Sequence, residues 1–291
     1  MAVSPPPSPA RRRIGRATAL TLSLTAAVFL TTPALAGGDP SGADNPEPVG
    51  QGVKPTVVLV HGAFADASGW NAVVERLQRR GYPVVAPPNL LRGVIGDAAY
   101  VASVLKSIEG PIVLAGHSYG GAVISQAAAG NENVKALVYV SAFMPDVGEN
   151  PAELSTKFTG SDLGTALRPV PYTDGTTSGT DLYIQNDKFH SVFAADLPEA
   201  QTRVMAVEQR PVAQAGFAQN ATAAAWKTIP SWFIVAKNDK AIAPDLERFE
   251  AERAGSHTVE VDSSHVAMMS HPDLVADQIR KAAHATAEET K

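Results

Sequence analysis

No cysteine occurs among the 291 residues of this sequence. The chain therefore has no disulfide framework, no thiolate nucleophile and no zinc site built on sulfur, and any covalent mechanism must use another nucleophile. The residues that are present, 45% of them hydrophobic and 18% charged, are typical of a globular protein. Intrinsic disorder is excluded for most of the chain.

Acidic residues are absent from positions 1–36, which contain four arginines (Arg11, Arg12, Arg13 and Arg16). The full chain has 24 Lys and Arg against 29 Asp and Glu, so the rest of it has 20 basic and 29 acidic residues, a net charge of −9. An acidic body without a basic stripe is a poor binder of nucleic acid or of an anionic membrane surface. We therefore expect a neutral or apolar small molecule as the substrate.

Segment 1–36 has the three-part layout of a secretory signal peptide. Its arginines precede an apolar stretch at 17–30, and residues 32–36 end in a small-x-small cleavage pattern. Because the apolar stretch is shorter than the ~18 to 20 residues that cross a bilayer, we expect cleavage near Ala36 and secretion, extracellular or periplasmic, rather than a stable membrane anchor. A permanent anchor is the alternative. The paired arginines also raise the twin-arginine export route, although Ile14 and Gly15 match it weakly.

Apolar strands alternate with helical patterns in the mature chain, which predicts an α/β fold with a mostly parallel sheet flanked by helices. Residues 37–54 are predicted to form a flexible leader, and residues 55–286 one domain with a short tail at 287–291. Strand and helix alternation stops between about 145 and 225, and an insertion of this length predicts a cap. The predicted strands lie at 56–60, 84–86, 112–115, 134–140, 231–236 and 258–261. The predicted helices lie at 67–80, 97–107, 120–129, 199–210 and 244–254, with a last helix from residue 272.

Residues 116–120 read Gly-His-Ser-Tyr-Gly and stand between an apolar strand and a helix of small residues. This G-x-S-x-G pattern in this context is typical of a nucleophile elbow, a turn so tight that only glycines fit around the serine. Ser118 is therefore the candidate nucleophile. The alternative is a purely structural glycine-rich turn in which the serine has no chemical role.

A serine hydroxyl needs a histidine to take its proton and a carboxylate to orient that histidine. Asp239 follows the predicted strand 231–236, and His265 follows the strand that ends at Val261. Both positions lie at carboxyl ends of strands, on the same edge of the sheet as the elbow. We therefore predict a triad of Ser118, Asp239 and His265.

Other residues compete for the roles of acid and base. Asp146 follows the strand 134–140 and is the main rival to Asp239, whereas Asp262 is nearer to His265 in sequence but is expected to point along its strand end. The remaining histidines occupy turns, helices, the insertion or the opposite edge of the sheet, where structural or solvated roles are expected: His61, His117, His190, His257, His271 and His284.

The oxyanion of an ester intermediate needs two preorganised N–H donors. One is expected from Tyr119, the residue after the nucleophile. The other is expected from Ala63 in the loop after the first strand, where His61 is predicted to brace the loop rather than to act chemically.

Several of these segments together resemble the α/β-hydrolase family. The resemblance rests on residues 57–63 (Val-Val-Leu-Val-His-Gly-Ala), 68–70 (Ser-Gly-Trp) and 116–121 (Gly-His-Ser-Tyr-Gly-Gly), with the late Asp239 and His265, and it covers nearly all of the mature chain. Within the family the sequence is most similar to the esterase branch that includes plant methylesterases and hydroxynitrile lyases. This resemblance implies esterase-type chemistry and the same five site residues: Ser118, Asp239, His265, Ala63 and Tyr119.

Differences from the residues of related enzymes exclude some of the reactions that the family catalyses from our expectation. Hydroxynitrile lyases carry a lysine after the catalytic histidine and a threonine in place of the glycine after the first histidine, whereas this chain has Val266 and Gly62. Haloalkane dehalogenases and epoxide hydrolases use an aspartate nucleophile, and dienelactone hydrolases use a cysteine. The resemblance therefore disfavours cyanohydrin cleavage and these three other reactions.

We expect a secreted serine hydrolase that cleaves carboxylic esters of small, largely apolar substrates through an acyl-enzyme, without a cofactor or a metal. A cofactor-free perhydrolase of haloperoxidase type and a carbon–carbon bond hydrolase use the same triad on the same fold and are the alternatives. A binding protein without activity is disfavoured because an intact triad has no purpose in it. The sequence carries no indication of the oligomeric state.

Aromatic residues near the predicted site are candidates for substrate binding. Phe64, Phe143 and Met144 are expected to line an apolar pocket at the catalytic edge. The insertion also holds aromatic residues, of which some are expected to roof the pocket, although packing within the cap is the alternative for each: Phe158, Tyr172, Tyr183, Phe189, Phe193 and Phe217.

Overall fold

Strands and helices alternate through most of the computed structural model, which describes residues 54–288, with side chains up to residue 285. The predicted signal peptide 1–36 and the predicted leader, apart from Lys54, lie outside the described residues, as do residues 289–291. No helix within the described part of the chain is long and apolar enough to cross a lipid bilayer.

Six parallel strands form the main sheet in the order β2-β1-β3-β4-β8-β9, which confirms the predicted α/β class. Strands β1 and β3 and all but one residue of β4 are buried or nearly so, as expected for parallel strands covered on both faces. The strands are β1 (Thr56–Val60), β2 (Val84–Val85), β3 (Ile112–Ser118), β4 (Val134–Ala142), β8 (Ser231–Ala236) and β9 (His257–Val261).

Helices cover the two faces of this sheet. The helices of this part of the chain are α1 (Asn71–Arg79), α2 (Val94–Lys106), α3 (Tyr119–Ala127), α9 (Pro244–Arg253), α10 (Ala267–Ser270) and α11 (Pro272–Glu288). Helix α1 contacts α11 and helix α2 contacts α3, while α3 and α11 both contact the central strands. The sheet therefore lies between two helical layers, and its carboxyl edge is left for the loops that carry the site.

Residues 143–230 separate β4 from β8 and form the cap. It contains an antiparallel sheet in the order β5-β6-β7, with strands β5 (Leu167–Thr173), β6 (Ser178–Ile184) and β7 (Val212–Ala213). Its helices are α4 (Pro151–Leu154), α5 (Leu163–Ala166), α6 (Asn186–Phe193), α7 (Glu199–Val207) and α8 (Gln214–Phe217). The hairpin of β5 and β6 was not predicted, because Pro169 and Pro171 indicate a loop at the position of β5. An edge strand tolerates proline since half of its N–H groups need no partner.

Several predicted boundaries are wrong by a few residues. The first predicted helix, 67–80, is a 3-10 turn (Ala67–Trp70) followed by α1. Helix α2 begins at Val94 rather than at residue 97, because the Asp97 carboxylate accepts the N–H groups of Arg92 and Gly93 and thereby caps the helix start. The cap helix predicted at 199–210 ends at Val207, and α11 continues to Glu288, past the predicted domain end at 286.

Candidate active site

Ser118 lies at the junction where β3 ends and α3 begins. Its backbone has φ 55° and ψ −126°, in a region that costs a non-glycine residue about 1 to 3 kcal/mol. A Cβ at Gly116 would lie 2.6 Å from the Gly120 carbonyl oxygen, and a Cβ at Gly120 would lie 2.5 Å from the Val60 oxygen. Both glycines of the motif are therefore required by close backbone packing, and they hold Ser118 in the elbow conformation.

His265 and Asp239 meet at the same edge of the sheet. The Nδ1 atom of His265 lies 2.5 Å from Oδ2 of Asp239, and both side chains are almost completely buried. The other carboxylate oxygen of Asp239 accepts the N–H groups of Ala241, at 2.6 Å, and Ile242, at 2.9 Å. Because Nδ1 faces the carboxylate, the neutral imidazole carries its proton there, and Nε2 is left to accept a proton.

His117 connects the elbow to the loop that carries His265. Its Nε2 donates to the carbonyl oxygen of His265 at 2.9 Å, and the centroids of the two imidazole rings are 4.7 Å apart. Burial lowers the pKa of His117 well below its ordinary value, so the ring is neutral. The residue before Ser118 therefore fixes the position of the histidine loop by a structural contact.

The rival acids have other partners. Asp146 pairs with Lys227 at 2.5 Å, and Asp262, whose side chain is 77% exposed, pairs with Lys237 at 2.8 Å. Burial acts to raise the pKa of Asp146, but the hydrogen bonds from Lys227 and from the Val147 amide outweigh it and lower the pKa. The structure therefore brings Asp239, and neither rival, to His265.

The other histidines have structural contacts or lie at the surface. His61 donates from Nδ1 to the Gly62 carbonyl at 3.0 Å and accepts the Asn89 amide at Nε2 at 2.9 Å, so it braces its loop. His190 contacts Thr202, and His271 contacts Ser270. The two remaining histidines are exposed: His257 and His284.

The loop after β1 lies directly on the elbow. A Cβ at Gly62 would approach Ser118 Cβ to 2.5 Å and the His117 carbonyl oxygen to 2.6 Å. The next residue, Ala63, is buried beside this contact, while the N–H of Phe64 is occupied by the Arg210 carbonyl at 3.0 Å. Of these two loop amides, Ala63 is therefore the candidate oxyanion donor.

Tyr119, the other predicted oxyanion donor, is held by a contact that the sequence did not reveal. Its hydroxyl donates to Asp97 Oδ2 at 2.9 Å, although the two residues lie on different helices. Burial raises the pKa of the Tyr119 phenol, as does the nearby Asp97 charge, so the hydroxyl keeps its proton. This bond fixes the first turn of α3, whose amide groups face the end of β3.

The predicted pocket residues are buried near the elbow. The amide of Phe143 donates to the Ser118 carbonyl at 3.2 Å, and the Phe143 ring packs edge-on against Phe217 at 5.8 Å. Met144 is fully buried. The Phe64 ring is 6.1 Å from the ring of Phe193.

Phe193 of cap helix α6 packs against His265, the predicted base. Its ring centroid is 5.0 Å from that of His265 and 6.3 Å from that of His117. Phe158, in contrast, packs on Phe249 of helix α9. The sequence did not indicate which of the six cap aromatics lies near the site, because contact with His265 depends on how the cap folds over the sheet.

Two buried glutamates of α9 support the loops of the site. Glu247 Oε2 accepts the Ala236 amide at 3.0 Å, and Glu250 Oε1 accepts the Met144 amide at 2.9 Å. Burial raises the pKa of Glu250 to about 8, and burial together with the adjacent Asp239 carboxylate raises the pKa of Glu247 well above its usual value. Neither glutamate was identified from the sequence, where both look like solvated helix residues.

No group of three or more His, Asp or Glu side chains in the described part of the chain is arranged to hold a metal ion. The groups that the site itself offers are a buried serine, an imidazole oriented by a carboxylate, and backbone N–H donors.

The sequence model of the alpha/beta hydrolase family matches residues 57–278, which include the elbow, Asp239 and His265. The chain belongs to the alpha/beta hydrolase family. A pyrethroid hydrolase from Sphingobium wenxiniae is 29% identical over 260 residues, covering 80% of this chain and 89% of its own length. Methylesterase 2 of Arabidopsis thaliana is 24% identical over 250 residues, covering 76% of this chain and 93% of its own.

The fold of this hydrolase is also that of a solved esterase. The crystal structure of polyneuridine aldehyde esterase matches with a TM-score of 0.69 at 20% sequence identity, covering 78% of this chain and 98% of that chain. The predicted α/β-hydrolase fold and the resemblance to its esterase branch are confirmed. The relatives support a hydrolase of the esterase type.

Proposed function

We propose that this protein is a secreted serine hydrolase that cleaves carboxylic esters of small, largely apolar substrates through an acyl-enzyme intermediate. The observation that carries the proposal is the 2.5 Å contact between His265 Nδ1 and Asp239 Oδ2, at the sheet edge where Ser118 occupies its elbow. A histidine held by a carboxylate, at the sheet edge that also carries a strained, buried serine, supports the proposal of a serine nucleophile with an imidazole base.

In the first half of the proposed reaction Ser118 Oγ attacks the ester carbonyl carbon. His265 Nε2 takes the hydroxyl proton, and the backbone N–H groups of Ala63 and Tyr119 stabilise the oxyanion. Collapse of this intermediate breaks the carbon–oxygen bond of the ester, and His265 returns the proton to the leaving alcohol. The acyl group is then attached to Ser118.

In the second half a water molecule attacks the acyl carbon. His265 takes a proton from that water and returns it to Ser118 Oγ as the acid leaves, so one ester and one water yield one acid and one alcohol. The Asp239 charge stabilises the imidazolium that forms twice in each cycle.

The apolar surroundings of the triad support an apolar substrate. Phe193 and Phe64 meet edge-to-face next to His265, and Phe143 is hydrogen-bonded to the elbow itself. Aromatic walls with few polar groups bind hydrophobic acyl or alcohol groups. The pyrethroid hydrolase and the methylesterases among the relatives carry names that agree with an ester substrate.

Secretion is proposed from the sequence of residues 1–36, with cleavage near Ala36. Expression of the full chain, followed by determination of the N-terminal residue of the exported protein, tests this part of the proposal. A mature N-terminus at Gly37 supports it, and full-length protein retained in the cell contradicts it.

Substitution of Ser118 tests the proposed chemistry. Ser118→Ala is expected to abolish hydrolysis of p-nitrophenyl acetate and covalent labelling by a fluorophosphonate probe, measured by intact mass, while the melting temperature shows that the protein remains folded. Ser125→Ala is the matched control, since Ser125 is a buried serine of α3 whose hydroxyl contacts Gly121 O and Tyr139. The control should still be labelled. Turnover retained by Ser118→Ala would contradict the assignment of Ser118 as the nucleophile.

A further inference from the structure

Asp196 connects the cap to the loop that carries His265. It lies at the surface, in the turn between α6 and α7, three residues after Phe193. On the other side of this contact are Ser263 and Ser264, the two residues immediately before His265.

Three hydrogen-bond donors of this loop point to the Asp196 carboxylate. Oδ2 accepts the Ser263 hydroxyl at 3.0 Å and the Ser264 amide at 3.1 Å, and Oδ1 accepts the Ser264 hydroxyl. Hydrogen bonds to an ionised acceptor are stronger than neutral ones. A single cap side chain therefore binds the hydroxyl groups of two consecutive residues and the backbone amide of the second.

The donors are buried, although Asp196 itself is at the surface. Ser263 is 0% exposed and Ser264 is 3% exposed, so loss of the acceptor would remove hydrogen bonds from donors that solvent barely reaches in the folded protein. Burial acts to raise the pKa of Asp196, but hydrogen bonds from the loop serines, Ser264 first, outweigh it and lower the pKa. The carboxylate is therefore ionised at neutral pH.

The position of His265 is set from several sides. Its side chain is oriented by Asp239, and its carbonyl oxygen accepts a hydrogen bond from His117 at 2.9 Å. The residue before it, Ser264, is fixed by Asp196 through two bonds. Of these contacts, only the one from Asp196 comes from the cap.

We propose that Asp196 is a positioning residue of this hydrolase, which makes the seating of the cap a condition for the correct placement of His265. The inference rests on the proposed serine hydrolase function and extends it to the cap. Asp196 acts through the Ser263–Ser264 backbone and not by contact with the substrate. Phe193, the last residue of the helix before this turn, packs its ring against His265, so the apolar cover and the imidazole position are coupled.

The test compares Asp196→Ala with Asp196→Asn in the full chain. Asp196→Ala is expected to lower kcat for p-nitrophenyl acetate by about 10- to 100-fold, since small displacements of a catalytic group cost rates of this size. KM should change by about twofold or less, because the substrate contacts remain. The rate of fluorophosphonate labelling at Ser118 should fall in parallel, since it uses the same histidine.

The asparagine variant distinguishes hydrogen bonding from charge. With its carbonyl oxygen in the place of Oδ2, the asparagine side chain still accepts the Ser264 amide, and its NH2 group donates to the Ser264 hydroxyl oxygen, so Asp196→Asn should keep kcat within about threefold of the wild type. Asp187→Ala is the matched control, since Asp187 is an exposed carboxylate of helix α6, and it should leave kcat unchanged. A loss in Asp196→Asn as large as that in Asp196→Ala overturns the positioning role.

Combining Asp196→Ala with Ser264→Ala gives a comparison of kcat values that a general loss of stability would not mimic. If Asp196 acts through Ser264, the double variant Asp196→Ala/Ser264→Ala should have the kcat of Asp196→Ala alone, whereas independent effects multiply. The inference is overturned if the two losses of kcat multiply in the double variant. It is also overturned if Asp196→Ala keeps the wild-type kcat at temperatures below its melting point. If the wild type itself is neither labelled nor active on esters, the proposed function fails, and this inference fails with it.

Discussion

The loops that follow β4 and β8 leave neighbouring strands at the same edge of the sheet. Each carries an aspartate, and each is held by a buried glutamate of α9. Asp146 of the first loop pairs with Lys227 at 2.5 Å, whereas Asp239 of the second loop contacts His265 at the same distance. Similar positions in the sheet have therefore produced a surface ion pair in one loop and, in the other, the acid of the proposed triad.

The difference lies in the partner that each carboxylate has at rest. Asp146 is paired with the Lys227 side chain, which takes no part in the proposed reaction. In the proposed mechanism His265 gains its charge during the reaction, when it takes the proton of Ser118, so the attraction of Asp239 is strongest in the transition state. The proposal thus assigns Asp239 a catalytic role because its cationic partner forms during the reaction.

Removal of the Asp239 charge is expected to have the largest effect. Asp239→Asn should lower kcat for p-nitrophenyl acetate by about 10³- to 10⁴-fold, because the amide favours the wrong imidazole tautomer and does not stabilise the imidazolium. Steady-state kinetics on the folded variant measures this loss. A loss below about tenfold would show that another acid orients His265, and it would make Asp146 the first residue to examine.

The support of the β4 loop by Glu250 is expected to have an intermediate effect, visible as a pH dependence of stability. The folded-state pKa of Glu250 is about 8, above the ordinary 4.5, so the folded protein binds the extra proton and loses stability as the pH rises from about 4.5 to about 8. Glu250→Gln removes this loss while its amide oxygen still accepts the Met144 amide.

The glutamine variant should be more stable than the wild type by about 1 to 4 kcal/mol at pH 9 and equally stable near pH 4. Urea unfolding at the two pH values measures the difference. Glu252→Gln, an exposed position of the same helix, is the control and should show no such pH dependence. If Glu250→Gln and the wild type had the same free energy of unfolding at pH 9, ionisation of the buried Glu250 would not destabilise the folded protein, and the prediction would be wrong.

Removal of the Asp146 charge should have the smallest effect. Its side chain is 33% exposed and that of Lys227 is 49% exposed, and ion pairs of this kind contribute about 0 to 1 kcal/mol. Asp146→Asn should therefore keep kcat within about twofold and leave the melting temperature nearly unchanged. A large loss of kcat with normal stability would contradict the distinction between the two loops.

The parts of the site that follow from local sequence were predictable. Ser118 was identified from the glycines around it, and Asp239 and His265 from their positions after apolar strands, because parallel strands bring their carboxyl ends to one edge. These three residues lie where the sequence predicted them. Their roles stay predictions until the variants are measured.

The residues that support the site were not predictable, because their roles depend on contacts between distant segments. Asp97 reads as a helix residue until its bond to Tyr119 is seen, and Asp196 reads as a surface residue of the cap. Glu247 and Glu250 have the pattern of a solvated helix, yet both are fully buried against loops from other strands. Spacing along the chain contains no signal for such contacts.

The long insertion between β4 and β8 has a consequence for synthesis of the chain. Strand β8 pairs with β4 only after residues 143–230 have been made, so the elbow and the predicted oxyanion loop are synthesised long before the predicted triad acid and base. A ribosome-bound chain that ends within the cap has the predicted nucleophile without the predicted base, and the edge of β4 is left open to other strands. The proposed triad is therefore complete only after synthesis has passed β8 and β9 and has reached His265.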